Sequence, residues 1–230
     1  FLESLEIWEK FQQELSKHRQ VVCIDLPGHG KSGSNGELHT MKFMAQCVKA
    51  VMDELQIERA SLAGHSMGGY VSLEFQKNFN SMCKAIVLIN STPAADSEER
   101  QENRDRASAL VRKNKKAFVS MAIGNLLGPE NSEKFKDELE ILKQKAHNME
   151  SKAIIAALQG MKIRTDNSIS LKRFTGKKII IAGESDPVLE FLEVKELASQ
   201  CGCALFSYPG EHLAFIEDPE KLMKILHFID

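Results

Sequence analysis

The chain has 230 residues, enough for one sizeable α/β domain with a buried core. Apolar residues make up 43% and charged residues 27%, a soluble, globular balance, and no apolar run approaches the length of a membrane span. A net charge of −2 and a pI near 6.4 give no basic excess for nucleic acid or an anionic membrane.

The first ten residues, F-L-E-S-L-E-I-W-E-K, are acidic and amphipathic and lack the pattern of a signal peptide. Leu5, Trp8, Phe11 and Leu15 form a helical stripe. Gln20–Leu26 is β-branched and reads as a buried strand, running into the turn-rich P-G-H-G-K-S-G-S-N-G. Glycines in that turn lack the third glycine or the P-loop lysine that nucleotide binding requires. Thr40–Leu55 reads as a helix with Phe43, Met44, Cys47, Val48, Val51 and Leu55 on one face.

The stretch A-S-L-A-G-H-S-M-G-G-Y, from Ala60 to Tyr70, organises the rest. An apolar strand, a Gly-x-Ser-x-Gly turn and an amphipathic helix follow one another, the context in which that motif presents a nucleophile. Ser66 is the expected nucleophile, held in a strained turn at a helix N-terminus. Gly64 and Gly68 are expected to be required because a side chain at either would collide with the neighbouring strand or helix.

Lys84–Ile89 is the next strand. From Asp96 to about Lys162 the chain is charged and helical in pattern, with one apolar cluster that includes Phe118, Met121, Leu126 and Leu127. Strand character returns at Lys178–Ala182 and Ala204–Tyr208, with helices at Leu189–Ser199 and about Pro219–Ile229. Alternating strands and helices imply a mainly parallel sheet covered on both faces, with catalytic groups on loops after the strands' carboxyl ends.

A serine needs a base in reach, and the base needs an orienting carboxylate. Of seven histidines, His212 alone follows a late strand in a short Gly-containing loop. Asp186, in G-E-S-D-P-V, occupies the loop after the preceding strand, with Glu184 as its near rival. Asn90, after Lys84–Ile89, cannot carry charge. The order Ser66, Asp186, His212 is a known order for such a triad.

The segments D-L-P-G-H-G-K-S, G-H-S-M-G-G, G-E-S-D-P and G-E-H-L-A-F-I-E-D-P, in that order, resemble the α/β-hydrolase family over essentially the whole chain. The resemblance implies a hydrolase core at 1–93 and 166–230 with an inserted helical cap at 94–165. Within the family the chain is similar to the small serine esterases with a compact cap. A carboxylic-ester hydrolase is therefore expected, acting on small to medium esters. A lyase like the menaquinone-pathway synthase of this fold, a perhydrolase and a non-catalytic binding homologue are the alternatives. Phe118, Met121, Leu126 and Leu127 are expected in the substrate pocket. Arg104, Arg106 and Arg112, the basic residues a polyanionic lyase substrate would want, are interspersed with acids.

The resemblance also implies an oxyanion hole from the Phe1 and Met67 N–H groups. It further implies a strand between Gln20–Leu26 and Ala60–Ala63, giving the nucleophile's strand a neighbour on each side. Roughly 20–30 residues upstream of Phe1, ending in His-Gly, would supply that strand. No metal or organic cofactor is required, and the expected partner is a small-molecule ester, not nucleic acid or membrane. Five cysteines without framework spacing point to reduced thiols in the cytoplasm. Nothing in the sequence specifies an oligomeric state.

Overall fold

A computed structural model describes residues 1–229. A 3₁₀ turn at Leu5–Trp8 leads into α1 (Glu9–Leu15), and α2 (Met41–Glu54) begins at Thr40, whose hydroxyl accepts the Phe43 N–H at 3.0 Å. Then come β1 (Ala60–His65), α3 (Met67–Asn78) and β2 (Cys83–Ile89). Five helices follow: α4 (Glu98–Gly124), α5 (Pro129–Lys134), α6 (Lys136–His147), α7 (Ser151–Lys162) and α8 (Ser168–Arg173). The chain closes with β3 (Lys177–Gly183), α9 (Phe191–Cys201), β4 (Ala204–Tyr208), α10 (Ala214–Glu217) and α11 (Pro219–His227).

The four strands pair in parallel in the order β1-β2-β3-β4. Alternate side chains of a strand point to opposite faces, and β2 shows the result. Ile86 and Leu88 join an apolar cluster with α2, α3 and α9, whereas Ala85, Val87 and Ile89 join a second cluster with Phe11 and Leu15 of α1 and Leu222, Ile225 and Leu226 of α11. Two helical layers therefore clamp the sheet. Helices α4 to α7 form the insertion between β2 and β3, and their Val111, Phe118, Leu139 and Ile154 continue the first cluster.

Asn114 has extended backbone (φ −156°, ψ 82°) and kinks α4. Its Oδ1 accepts the Ala117 N–H at 3.0 Å, restarting the helix with a side-chain cap.

The expected strand at Gln20–Leu26 does not form. Residues 20–26 have no ladder partner, and a hollow of about 480 Å³ is shared by residues 21–26 and all of β1. Strand structure needs a neighbour's N–H and C=O groups at ladder distance. For the same reason β1 pairs with β2 alone among the described residues.

Candidate active site

Ser66 sits between β1 and α3 with φ 49° and ψ −115°, a left-handed conformation that a serine adopts only under constraint. Its N–H donates to the Ile89 carbonyl at 2.9 Å, and its own carbonyl accepts from Ser91 Oγ at 2.8 Å. The turn is thus fastened to the end of β2.

The glycine requirement differs from the expectation at one position. A Cβ on Gly64 would come within 2.3 Å of the Gly68 backbone, so Gly64 must be bare. A Cβ on Gly68 itself would meet nothing within 4 Å. Gly68 is the surface that Gly64 must clear, and its own side-chain direction is open. Gly69 is the second tight position, where a Cβ would lie 2.3 Å from Ser91 Oγ.

His212 Nε2 lies 3.1 Å from Ser66 Oγ, and His212 Nδ1 lies 2.9 and 2.8 Å from the two Asp186 oxygens. Both side chains of the His–Asp pair are only 2% exposed. A carboxylate at Nδ1 selects the tautomer with hydrogen there, leaving Nε2 to accept from the serine. Burial holds the His212 pKa below its ordinary value, while the Asp186 hydrogen bond and charge oppose that shift.

Asp186 is itself held. Its Oδ1 accepts the N–H groups of Val188 and Leu189 at 2.8 and 3.1 Å, and Oδ2 accepts from Asn90 Nδ2 at 3.1 Å. Glu184, two residues earlier, instead accepts from Ser207 Oγ at 2.6 Å. Asn90, uncharged as its sequence position implied, works as a bridge, because its amide also donates to the Glu211 carbonyl at 2.8 Å.

The histidine loop has a clamp of its own. Glu217 accepts the N–H of Glu211 at 2.8 Å and that of Leu213 at 2.9 Å, gripping the backbone on both sides of His212. From the insertion, the Leu126 carbonyl accepts the His212 N–H at 3.3 Å. Beneath lies His65. Its Nε2 is 2.8 Å from the His212 carbonyl and its Nδ1 is 2.9 Å from Glu3 Oε2. Burial alone would raise the Glu3 pKa, but the interactions with His65, the Phe1 amino group and His212 together outweigh it and the carboxyl falls to about 2.

Ser66 and His212 open on a cavity of about 350 Å³. Phe1, Phe118 and Leu126 line it. Met121 is 48% exposed and Leu127 is packed in the core, and neither faces the cavity. The reason is periodicity: Phe118, Ala122 and Leu126 recur every fourth residue along one side, and Met121 and Leu127 fall off that line. Met67 opens α3, so its N–H is among those a helix leaves without an internal acceptor. Arg100, Asn103 and Arg104 of α4 also line the cavity, whereas Arg106 pairs with Glu102 on the exposed surface and Arg112 is exposed.

Sequence reasoning missed Glu3, Asn90 as a bridge and Glu217. Only Asn90 carried a local signal, an asparagine directly after a strand-like run, and it adopts φ 45°, which asparagine tolerates better than most residues. No group of three or more potential metal-ligating side chains occurs among the described residues.

A family model described as the alpha/beta hydrolase fold matches residues 1–219. The chain is 30% identical over 145 residues to the dihydrolipoyllysine-residue acetyltransferase component of the acetoin cleaving system of Pseudomonas putida, covering 63% of this chain. That match spans about a third (36%) of the relative's length. It is 26% identical over 227 residues to the putative carbamate hydrolase RutD of Pantoea ananatis, covering 95% of this chain and 81% of that protein. A thermophilic esterase from Thermogutta terrifontis superposes with a TM-score of 0.90 at 24% identity, over 98% of this chain and 85% of that one, a likeness of fold.

Proposed function

The chain belongs to the α/β-hydrolase fold family, and on that premise we propose that it is a serine hydrolase cleaving a small to medium carboxylic ester through an acyl-enzyme. The observation that carries this reading is His212, set between Ser66 and Asp186 with hydrogen-bond distances on both sides.

His212 Nε2 takes the Ser66 proton as Oγ bonds to the ester carbonyl carbon. Negative charge gathers on the carbonyl oxygen, where the Met67 and Phe1 N–H groups donate to it. Each such donor is worth about 2.7–4 kcal/mol in the transition state. The C–O bond to the alcohol then breaks, and the imidazolium gives its proton to the departing oxygen. Water, deprotonated by the same nitrogen, attacks the acyl-enzyme and releases the acid and Ser66. Phe118 and Leu126 supply the apolar surface for the acyl chain. We place the enzyme in the cytosol on the strength of its five free thiols. No helix among the described residues is long and apolar enough to cross a membrane.

The test is a p-nitrophenyl ester panel of graded acyl length, combined with a fluorophosphonate probe. Ser66 is the only serine expected to take the label, and Ser66→Ala is expected to abolish turnover while retaining the fold. Labelling at another serine, or turnover by the alanine variant, rejects the assignment.

A further inference from the structure

The wall of the Ser66 cavity carries uncompensated positive charge. Asp96, whose side chain is fully buried, receives three guanidinium groups: Arg100 Nε at 3.2 Å, Arg104 Nε at 3.1 Å and Arg164 Nη1 at 2.6 Å. One carboxylate against three cations leaves two charges over. Arg164 is consumed structurally, donating to the Ala94 and Met161 carbonyls and lying 4.0 Å from the centre of the Tyr70 ring. Arg100 also gives Nη1 to the Val188 carbonyl at 2.9 Å.

Arg104 is different. Its Nε is spent on Asp96, and its two terminal nitrogens have no acceptor among the described residues. The side chain is 19% exposed, and it lines the cavity that exposes Ser66 and His212. Arg100 and Asn103 line the cavity beside it. The one acid that also lines this cavity, Glu3, is engaged by His65. The cavity thus offers apolar surface from Phe118, Ala122 and Leu126 together with a guanidinium whose free edge has no protein anion to meet. A partly buried cation that shares one carboxylate with two other guanidinium groups is under-compensated, which is unfavourable. A guanidinium anchored through Nε presents its remaining N–H groups as a planar fork, the shape that matches a carboxylate in two parallel hydrogen bonds.

We propose that Arg104, supported by Arg100 and Asn103, is a binding site for a carboxylate on the substrate. The preferred ester is then the monoester of a small dicarboxylic acid. This rests on the serine-hydrolase reading and narrows its substrate class. The carboxylate belongs to the acyl side, because the acyl group is the part that stays in the cavity through both halves of the reaction. A cavity of about 350 Å³ suits a short chain between the two carboxyl groups.

The experiment compares kcat/KM for monomethyl adipate and methyl hexanoate, esters of equal acyl length that differ in the terminal charge. The expected ratio for the unaltered protein favours the adipate by about tenfold or more, and Arg104→Met lowers that ratio by about tenfold. Arg104→Lys, which keeps the charge and loses the fork, lowers it by less, and carries the test if the methionine variant fails to fold. A ratio near one in the unaltered protein, or a ratio indifferent to both substitutions, overturns the proposal. Calorimetric titration of the Ser66→Ala protein with monomethyl adipate separates this claim from the hydrolase reading. If neither ester is cleaved, the hydrolase reading fails, and the carboxylate site is judged by binding alone. Affinity weakened about tenfold by adding Arg104→Met supports the site, and unchanged affinity overturns it.

Discussion

His65 Nε2 lies 2.8 Å from the carbonyl oxygen of His212, so the histidine inside the Ser66 turn holds the backbone of the histidine that faces Ser66. A carbonyl only accepts, so Nε2 carries hydrogen. On the other side of the ring the Glu3 carboxylate, held ionised, also accepts, at 2.9 Å from Nδ1. Glu3 and His65 thus form a buried hydrogen-bonded pair under the His212 loop, with side chains 9% and 2% exposed.

Glu3→Gln is expected to remove the carboxylate that meets His65 Nδ1 and to cost about 2 kcal/mol at pH 7. The folded Glu3 pKa of about 2 lies below the reference value of 4.5, so its contribution is complete above pH 4.5 and is lost as pH falls through about 2. Urea unfolding of both proteins across this range should show the gap narrowing with acid. A gap constant with pH would mean that the carboxylate charge is not what stabilises the pair.

Asp186→Asn is expected to lower kcat by about 10⁴-fold, because an amide no longer holds the imidazole in its working tautomer. Glu184→Gln should do far less, since Glu184 contacts Ser207 rather than His212. Steady-state kinetics of the two variants decides between the acids, and the reverse ranking would assign the role to Glu184.

The acid limb of kcat/KM should lie below pH 6.5, because burial depresses the His212 pKa from that value and the base works in its neutral form. Activity is then already full at neutral pH and falls only as His212 takes up a proton. In Asp186→Asn the residual activity should show a limb at still lower pH, since Asp186 is the group that raises the His212 pKa. A limb above 6.5 in the unaltered protein would count against this environment for the base.

Phe118→Ala is expected to shift preference toward longer acyl chains and to cost about 3–5 kcal/mol, because Phe118 both lines the cavity and is buried. Met121→Ala should leave chain-length preference alone and change stability by less than about 0.5 kcal/mol, since Met121 is 48% exposed. An ester series and thermal melts on both variants test the pair.

The elements were largely legible in the sequence, because parallel strands buried on both faces are near-continuous apolar runs, as in β2 and β3. The meeting of His212 and Asp186 was legible for a related reason: parallel topology brings the loops after the strands' carboxyl ends to one end of the sheet. Glu3 and Glu217 were not, since each acts on a partner chosen by the tertiary fold. Glu3 meets His65 across 62 positions. Residues 20–26 have the composition of a strand, but pairing is a property of two segments, and composition reports on one. Gly68 and Met121 failed at a finer level, where the direction of a single Cα–Cβ bond decides the answer.

The clasp at Asp96 also shapes what the insertion can become. Asp96 and Arg164 lie where the chain leaves the sheet layer and where it returns, so their ion pair closes the whole helical excursion at its neck. For a flexible loop, doubling its length adds only about 0.6 kcal/mol of closure entropy. With Asp96 and Arg164 tied at the neck, the parts of α4 to α7 beyond Arg104 can be lengthened or shortened while the two crossing points stay joined. Such an arrangement is modular up to a point: selection can rewrite much of what the cavity admits, provided that the Leu126 carbonyl still meets the His212 N–H.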